Sequence, residues 1–287
     1  MGLDRDRVVV VTGGSRGAGK GIALALGATG ATVYVTGRTR QEGDAPLPGN
    51  VQATADGVSA AGGKGIAVYC DHSDHEQVGQ LFDRVRREQG RLDILVNNAT
   101  NLHDALTQSG PFWEKPLELT ELWDVGMRSH YTAAWYAAPL LLTSGAGLIV
   151  NTSSFGGRIY MHGPAYGAGK AAVDKMSHDM AVDFRPYHVA VVSIWMGLLM
   201  TERTRRVFES EPEKYAELAA TTESPEFTGR VIDALARDPQ LMAKSGNVWI
   251  GAELGQEYGL TDLNGQLPPS HRAFFGGTTT YGDAVVE

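Results

Sequence analysis

Four consecutive valines, residues 8–11, run directly into Thr12-Gly13-Gly14-Ser15-Arg16-Gly17-Ala18-Gly19, and an apolar helical stretch at 21–29 follows at once. The segment 7–12 is β-branched and does not alternate with polar residues, as expected of a strand buried on both faces. A strand with no solvent face needs cover above and below, which restricts the chain to a layered α/β design. The rest of the sequence repeats the pattern. Residues 31–36, 65–70, 92–96, 147–152, 189–195 and 248–250 read as further strands. Residues 51–61 and 164–184 read as helices, and Ser73 with Glu76 reads as a capping box opening a helix to about Glu88. Leu119, Leu122, Trp123, Tyr131, Trp135, Ala138 and Leu141 recur at helical spacing and predict one long helix over 118–142. Gly43, Pro46, Pro48 and Gly49 mark 39–50 as a surface loop. Strands separated by helices predict a doubly wound parallel sheet with ligands at the carboxyl ends of its strands.

Composition narrows the function. The 287 residues carry 25 basic and 33 acidic side chains, a net charge of −8. Such a chain lacks the basic footprint of a nucleic-acid binder. A single cysteine, Cys70, excludes an intrachain disulfide and fits a reducing compartment, the cytoplasm. No apolar run reaches the roughly 18 residues of a membrane span, and the charged start, residues 1–6, shows no leader.

The glycine-rich turn has the context of a dinucleotide site, between a buried strand and a helix. Gly13 permits the tight turn, Gly17 lets a pyrophosphate approach backbone amides, and Gly19 allows close helix–strand packing. The helix N-terminus favours the negative phosphate. The second strand ends Thr36-Gly37-Arg38, without the acidic residue that usually meets the ribose 2′-hydroxyl of NAD. Arg38 and Arg16 instead suit a 2′-phosphate, so NADP(H) is expected as the preferred cofactor, with NAD(H) as the alternative. Asp71 stands where it accepts from an adenine amino group. A metal reading of Asp71-His72-Ser73-Asp74-His75 finds no second cluster to complete a coordination shell.

Tyr166 and Lys170 lie four residues apart on a predicted helix and so share a face. A free tyrosine titrates near 10. A cation beside it favours the phenolate and suits it to proton transfer at a carbonyl or alcohol oxygen. Asn151-Thr152-Ser153-Ser154, where the fifth strand runs out, offers a hydroxyl to orient that oxygen. Ser154 precedes Tyr166 by 12 residues and Ser153 by 13; the spacing leaves both open.

Taken together, the Thr12–Gly19 turn, Asp71, Asn97-Asn98-Ala99, the Ser154/Tyr166/Lys170 set, and Gly197 with Thr201 resemble the short-chain dehydrogenase/reductase family, over residues 7–250. Within it the chain is similar to the dehydrogenase/reductase member 1 branch. That similarity rests on Val125-Gly126-Met127-Arg128-Ser129-His130-Tyr131, on 164–170 and on Tyr258-Gly259-Leu260. The resemblance implies a single Rossmann-type domain over 1–287 with about seven parallel strands and helices on both faces. Substrate-side helices are expected at about 196–245 and an extension at about 251–287. It implies hydride transfer between NAD(P)(H) and a small carbonyl or alcohol. Carried over by position, Ser154 orients the carbonyl, Tyr166 is the acid/base and Lys170 lowers its pKa. Gly13, Ser15, Arg16, Gly17, Gly19, Arg38, Asp71, Asn98, Ala99, Tyr166, Lys170, Gly197 and Thr201 surround the cofactor. Homodimers or homotetramers built on the long helices are also implied.

The chain departs from the family pattern at several points. Gly126 stands where most members have an asparagine that supports a proton-relay water, Thr100 stands for a glycine, and Met196 precedes Gly197 in place of proline. Trp113, Phe155, Tyr160, Met161, Trp195, Met196 and Met200 predict an apolar substrate pocket. His103, His130 and His162 read as core or surface rather than pocket. Trp123, Tyr131 and Trp135 read as core or subunit interface. Two other functions fit a dinucleotide fold: a redox-responsive binding module with little catalysis, and an epimerase working by transient oxidation.

Overall fold

The computed structural model describes residues 7–286; the charged start at 1–6 lies outside the described residues. The elements are β1 Val8–Val11, α1 Gly17–Gly27, β2 Thr32–Gly37, α2 Val51–Ala60, β3 Lys64–Tyr69, α3 His75–Gln89 and β4 Ile94–Asn97. They continue with α4 Glu121–Trp123, α5 Ser129–Ser144, β5 Leu148–Ser153, α6 Pro164–Phe184, β6 Ala190–Trp195, α7 Glu202–Ser210 and α8 Pro212–Ala220. Then come α9 Pro225–Arg237, α10 Leu241–Lys244, β7 Val248–Ile250, α11 Gly251–Glu257 and α12 Arg272–Phe275. The sheet has seven strands, all paired in parallel, in the order β3-β2-β1-β4-β5-β6-β7. The strand order reverses at β1 and β4. The crevice where such folds bind ligands therefore lies beyond the ends of these two strands.

The four valines of β1 show why both faces need cover. Val9 and Val11 join a core with Ile22, Leu26, Phe227, Val231 and Leu254, under α1, α9 and α11. Val8 and Val10 join the opposite core with Leu81, Phe82, Ala133, Leu141 and Met180, under α3, α5 and α6. All four valine side chains therefore leave water, and none has reason to be polar.

Two helix readings are corrected. The stretch 118–142 is not one helix. At Val125 (φ −112°, ψ 92°) and Gly126 (φ 144°) the chain leaves helical geometry, and Asn101 N donates to the freed Val125 carbonyl at 2.7 Å. The break separates α4 from α5. The first turn of α3 is capped by Asp74, whose carboxylate accepts from Glu76 N and Gln77 N. Ser73 instead donates its hydroxyl to Asp71 Oδ1 at 2.7 Å.

The segment after α11 packs back on the body. Phe275 and Tyr281 lie against a small core of Phe155, Trp195 and Ile250. Arg158 Nη1 donates to the Gly277 and Thr278 carbonyls. Among the described residues no helix is long and apolar enough to cross a membrane.

The contact of α1 with α9 depends on two glycines. A Cβ on Gly21 would lie inside contact with Pro225, and one on Gly229 would lie 2.9 Å from Ile22 Cα. Gly21→Ala is expected to lower stability by about 1–3 kcal/mol through overpacking. Thermal unfolding would show this as a fall in Tm of several degrees; an unchanged Tm would mean that α9 moves aside freely.

Candidate active site

The ends of β1, β4, β5 and β6 bring the chemistry-bearing residues to one edge of the sheet. Thr12 fastens the first two. Its hydroxyl accepts Asn98 N at 2.8 Å and Ala99 N at 3.0 Å, and Asn98 Nδ2 donates back to the Thr12 and Gly13 carbonyls at 3.0 and 3.2 Å. Asn98 and Ala99 thereby hold the glycine turn against β4. Gly13 has φ 67°, and a Cβ there would lie 2.7 Å from Ala99 Cα, so only glycine fits this approach. A Cβ on Gly17 would project toward Thr201 Cγ2, 3.7 Å away. The backbone amides of the turn and of the start of α1 are donors of the kind a dinucleotide's pyrophosphate needs. Gly19 is buried in the first turn of α1, where a Cβ would collide with Gly13 and Asn98.

Beside the glycine turn, Ser15 is buried. Arg16 Nη2 donates to Thr39 Oγ1 at 3.1 Å and to the Gly49 carbonyl at 2.8 Å, bracing the loop 39–50. Arg38 is exposed at the end of β2, 3.7 Å from the Asp71 carboxylate. Two serine bonds and Arg38 hold that carboxylate below its ordinary range, against the opposing effect of partial burial. His72, beside it, is wholly buried, 2.7 Å from Thr36 Oγ1, and burial pushes it down to about 4. No group of three or more His, Cys, Asp or Glu side chains among the described residues could hold a metal ion.

At the other end, Ser154 Oγ and Tyr166 Oη are 2.9 Å apart. Ser153 is buried, and its hydroxyl turns toward the Lys170 carbonyl at 3.4 Å. Of the two serines, Ser154 reaches the phenol. Lys170 is buried one turn beyond Tyr166, with Nζ donating to the Thr152 carbonyl at 3.1 Å and 5.9 Å from the Tyr166 ring centroid. Burial pushes its ammonium down to about 8 against the pull of Asp174. Burial also raises the Tyr166 phenol, and the Ser154 bond opposes this. One more turn along α6, Asp174 accepts Ser193 Oγ at 2.6 Å and Trp195 Nε1 at 2.9 Å. Asp174 was not singled out from the sequence; the spacing Tyr-x-x-x-Lys-x-x-x-Asp, which puts a third member on the same helical face, would have been the signal.

The family model for short chain dehydrogenases matches residues 7–212. The chain belongs to the short-chain dehydrogenase/reductase family. It is 41% identical over 276 residues to the mouse dehydrogenase/reductase SDR family member 1, covering 91% of this chain and 85% of that one. Against the human protein of the same name the identity is 39%, with 91% and 84% covered. A solved structure, a putative dehydrogenase from Xanthomonas campestris, superposes with a TM-score of 0.78 at 25% identity, over 91% of this chain and 93% of that one. The family binds NAD(P), and the member 1 branch is the one this chain falls in.

Against this short-chain dehydrogenase framework, two departures turn out to be one. A Cβ on Gly126 would lie 2.9 Å from Thr100 Oγ1. The side chain at 100 fills the space in front of residue 126, and the positive φ of Gly126 independently favours glycine. His130 is buried behind them, Nε2 3.3 Å from the Ala99 carbonyl, and burial pushes it down to about 3, so it is neutral. His162 stands at φ 60° with its ring 5.2 Å from that of Tyr166, edge to face. The pocket reading is revised: Trp195 is fully buried and Phe155 packs on it in the core, while Trp113 and Tyr160 are exposed.

Glu223 was not legible in the sequence. It is buried, and its carboxylate accepts Gly197 N. Its own backbone pairs with the same loop, Glu223 N to the Leu198 carbonyl and Met200 N to the Glu223 carbonyl, both at 2.9 Å. Gly197 and Thr201 are thus held from below, with Thr201 Oγ1 capping α7 through Thr204 N. Burial pushes the Glu223 carboxyl up to about 7, helped by Asp262. Between the ordinary glutamate value near 4.5 and about 7, the folded protein holds a proton that the unfolded chain releases. Stability therefore falls as pH rises through that window. Glu223→Gln, which keeps the acceptor and loses the titration, is expected to flatten the pH dependence of Tm between 5 and 8; an unaltered profile would remove Glu223 as its source.

Proposed function

We propose that the protein transfers hydride between NADP(H), in preference to NAD(H), and an apolar carbonyl or alcohol. The observation that carries this reading is the 2.9 Å approach of Ser154 Oγ to Tyr166 Oη with the buried Lys170 one turn away. The bound nicotinamide supplies or accepts the hydride. The protein's own groups handle the oxygen and its proton. Ser154 donates to the carbonyl oxygen and holds it beside the phenol. Tyr166 gives its proton to that oxygen in reduction and takes it back in oxidation. The Lys170 ammonium, 5.9 Å from the Tyr166 ring centroid, favours the phenolate, while the Ser154 bond opposes the upward push of burial on Tyr166. The His162 ring stands edge to face with Tyr166, and the Tyr166 ring packs against Leu106, Leu119 and Leu122, which supports an apolar substrate. The NADP(H) preference is supported by Arg38 at the end of β2, without an acidic residue beside it on that strand, and by Arg16 next to it. Cys70, a free buried thiol, supports a reducing compartment such as the cytoplasm.

Tyr166→Phe is expected to reduce turnover about 10²- to 10⁴-fold while NADPH still binds. The assay is NADPH oxidation over aldehydes, diketones, quinones and ketosteroids; retained turnover would remove Tyr166 as the acid/base. Arg38→Asp is expected to lower the NADPH-over-NADH preference at least about tenfold, since a bidentate charge contact is lost and a repulsion added. An unchanged ratio would end the 2′-phosphate assignment. For assembly as a dimer or tetramer, the exposed Tyr131, Trp135 and Leu142 of α5 provide the apolar face. Trp135→Asp is expected to shift the sedimentation coefficient to that of a monomer; a wild type that already sediments as a monomer would contradict the reading.

A further inference from the structure

Helix α1 starts without a cap of its own. Arg16, extended at φ −163°, places no side-chain acceptor on its first turn. The first amide of the helix instead finds its partner far along the chain: Gly17 N donates to Glu202 Oε2 at 2.8 Å. A carboxylate oxygen on this amide has the charge and the acceptor geometry of a phosphate oxygen.

We propose that Glu202 is a tethered competitor for the cofactor's pyrophosphate. In the empty protein its carboxylate takes one phosphate-oxygen position at the start of α1. When the dinucleotide binds, that oxygen is replaced and Glu202 withdraws. The inference rests on the reading that the glycine turn holds the dinucleotide.

Three further observations support it. Glu202 Oε2 lies in the space in front of Gly17, 4.0 Å from where a Cβ would be and close to Thr201. Its presence there is electrostatically felt, since the carboxylate acts on the Arg16 guanidinium of the same turn. The helix that carries it is lightly seated. No residue of α7 is buried, and it is held across the cleft by Arg203 to Asp104 at 2.7 Å and Arg206 to the Pro46 carbonyl at 2.8 Å. Finally, the displaced carboxylate has somewhere to go. A cavity of about 420 Å³ adjoins Gly17 and is lined by Glu202 itself together with Lys20 and Arg205. That wall carries two cations, Lys20 and Arg205, against one further carboxylate, Glu226. On this proposal the carboxylate has two positions, and a phosphate biases it by competing for one of them.

The test is direct binding, by titration calorimetry, of NADPH and of adenosine 2′-monophosphate, which lacks the pyrophosphate. Wild type, Glu202→Gln and Glu202→Ala would be compared. From the usual worth of a charge at a helix N-terminus, both variants should bind NADPH roughly twofold to fivefold more tightly, and up to about 30-fold if the site is partly buried. Adenosine 2′-monophosphate should bind all three proteins alike. Unchanged or weaker NADPH binding in the variants overturns the proposal. Equal tightening for both ligands also overturns it, because it would show a loosened α7 rather than a vacated phosphate position. A wild type that binds neither NADPH nor NADH would instead remove the dinucleotide reading, and is told apart because no variant then has a reference affinity.

Discussion

One buried carboxyl, Asp174, ties the reactive edge together. It lies in α6 and accepts from Ser193 and Trp195, both in β6. Those bonds fix the rotation of α6 about its axis, and with it the direction in which Lys170 and Tyr166 point. A buried carboxyl without partners would be costly, and this one is compensated by two short hydrogen bonds and a neighbouring ammonium. A second polar chain runs beside it: Asn97 Nδ2 donates to Asn151 Oδ1, and Asn151 Nδ2 donates to Ser177 Oγ, again on α6. The helix that bears the phenol is therefore aligned by polar contacts from β4, β5 and β6 at once. Apolar packing alone would hold it close without setting its angle.

Much of the fold was legible because the sheet is parallel and covered on both faces. Continuous apolar runs at 8–11, 94–96 and 189–192 have no polar alternation to obscure them, and the helices between them carry their own period. The glycine turn and the Tyr166–Lys170 pair were legible because their partners are neighbours in sequence. What was missed depends on distance along the chain. Glu202 meets Gly17 across 185 residues and Glu223 meets Gly197 across 26, and no local pattern encodes either meeting. The break at Gly126 was hidden because apolar spacing continues through it, and the side chain it would meet, Thr100, lies in another loop. At the start of α3 the sequence points to Ser73 as the cap, but Asp74, one residue nearer the helix, holds that place. Trp195 was read as pocket-lining because a residue at a strand end can face either way; its indole bond to Asp174 turned it inward.

The two ends of the cleft are built on opposite electrostatic terms. At the glycine turn, backbone amides and two arginines present positive charge to solvent. At the reactive edge, Lys170, Asp174 and Tyr166 are all buried, and each is shifted by burial toward its neutral form. Small changes in what covers that edge therefore move proton affinities more than they would on an open surface.

The strand order also has a kinetic meaning. β1 is first in the chain but central in the sheet, with β2 on one side and β4 on the other. The half made of β1 to β3 can pair from short crossovers. The Thr12 hydroxyl then waits for Asn98 and Ala99, 86 and 87 residues later, to complete its bonds. Closing so long a loop is slow compared with local pairing. The joint that shapes the glycine turn is thus a late event on the folding route, and a chain paused before it carries the turn's sequence without the turn's shape.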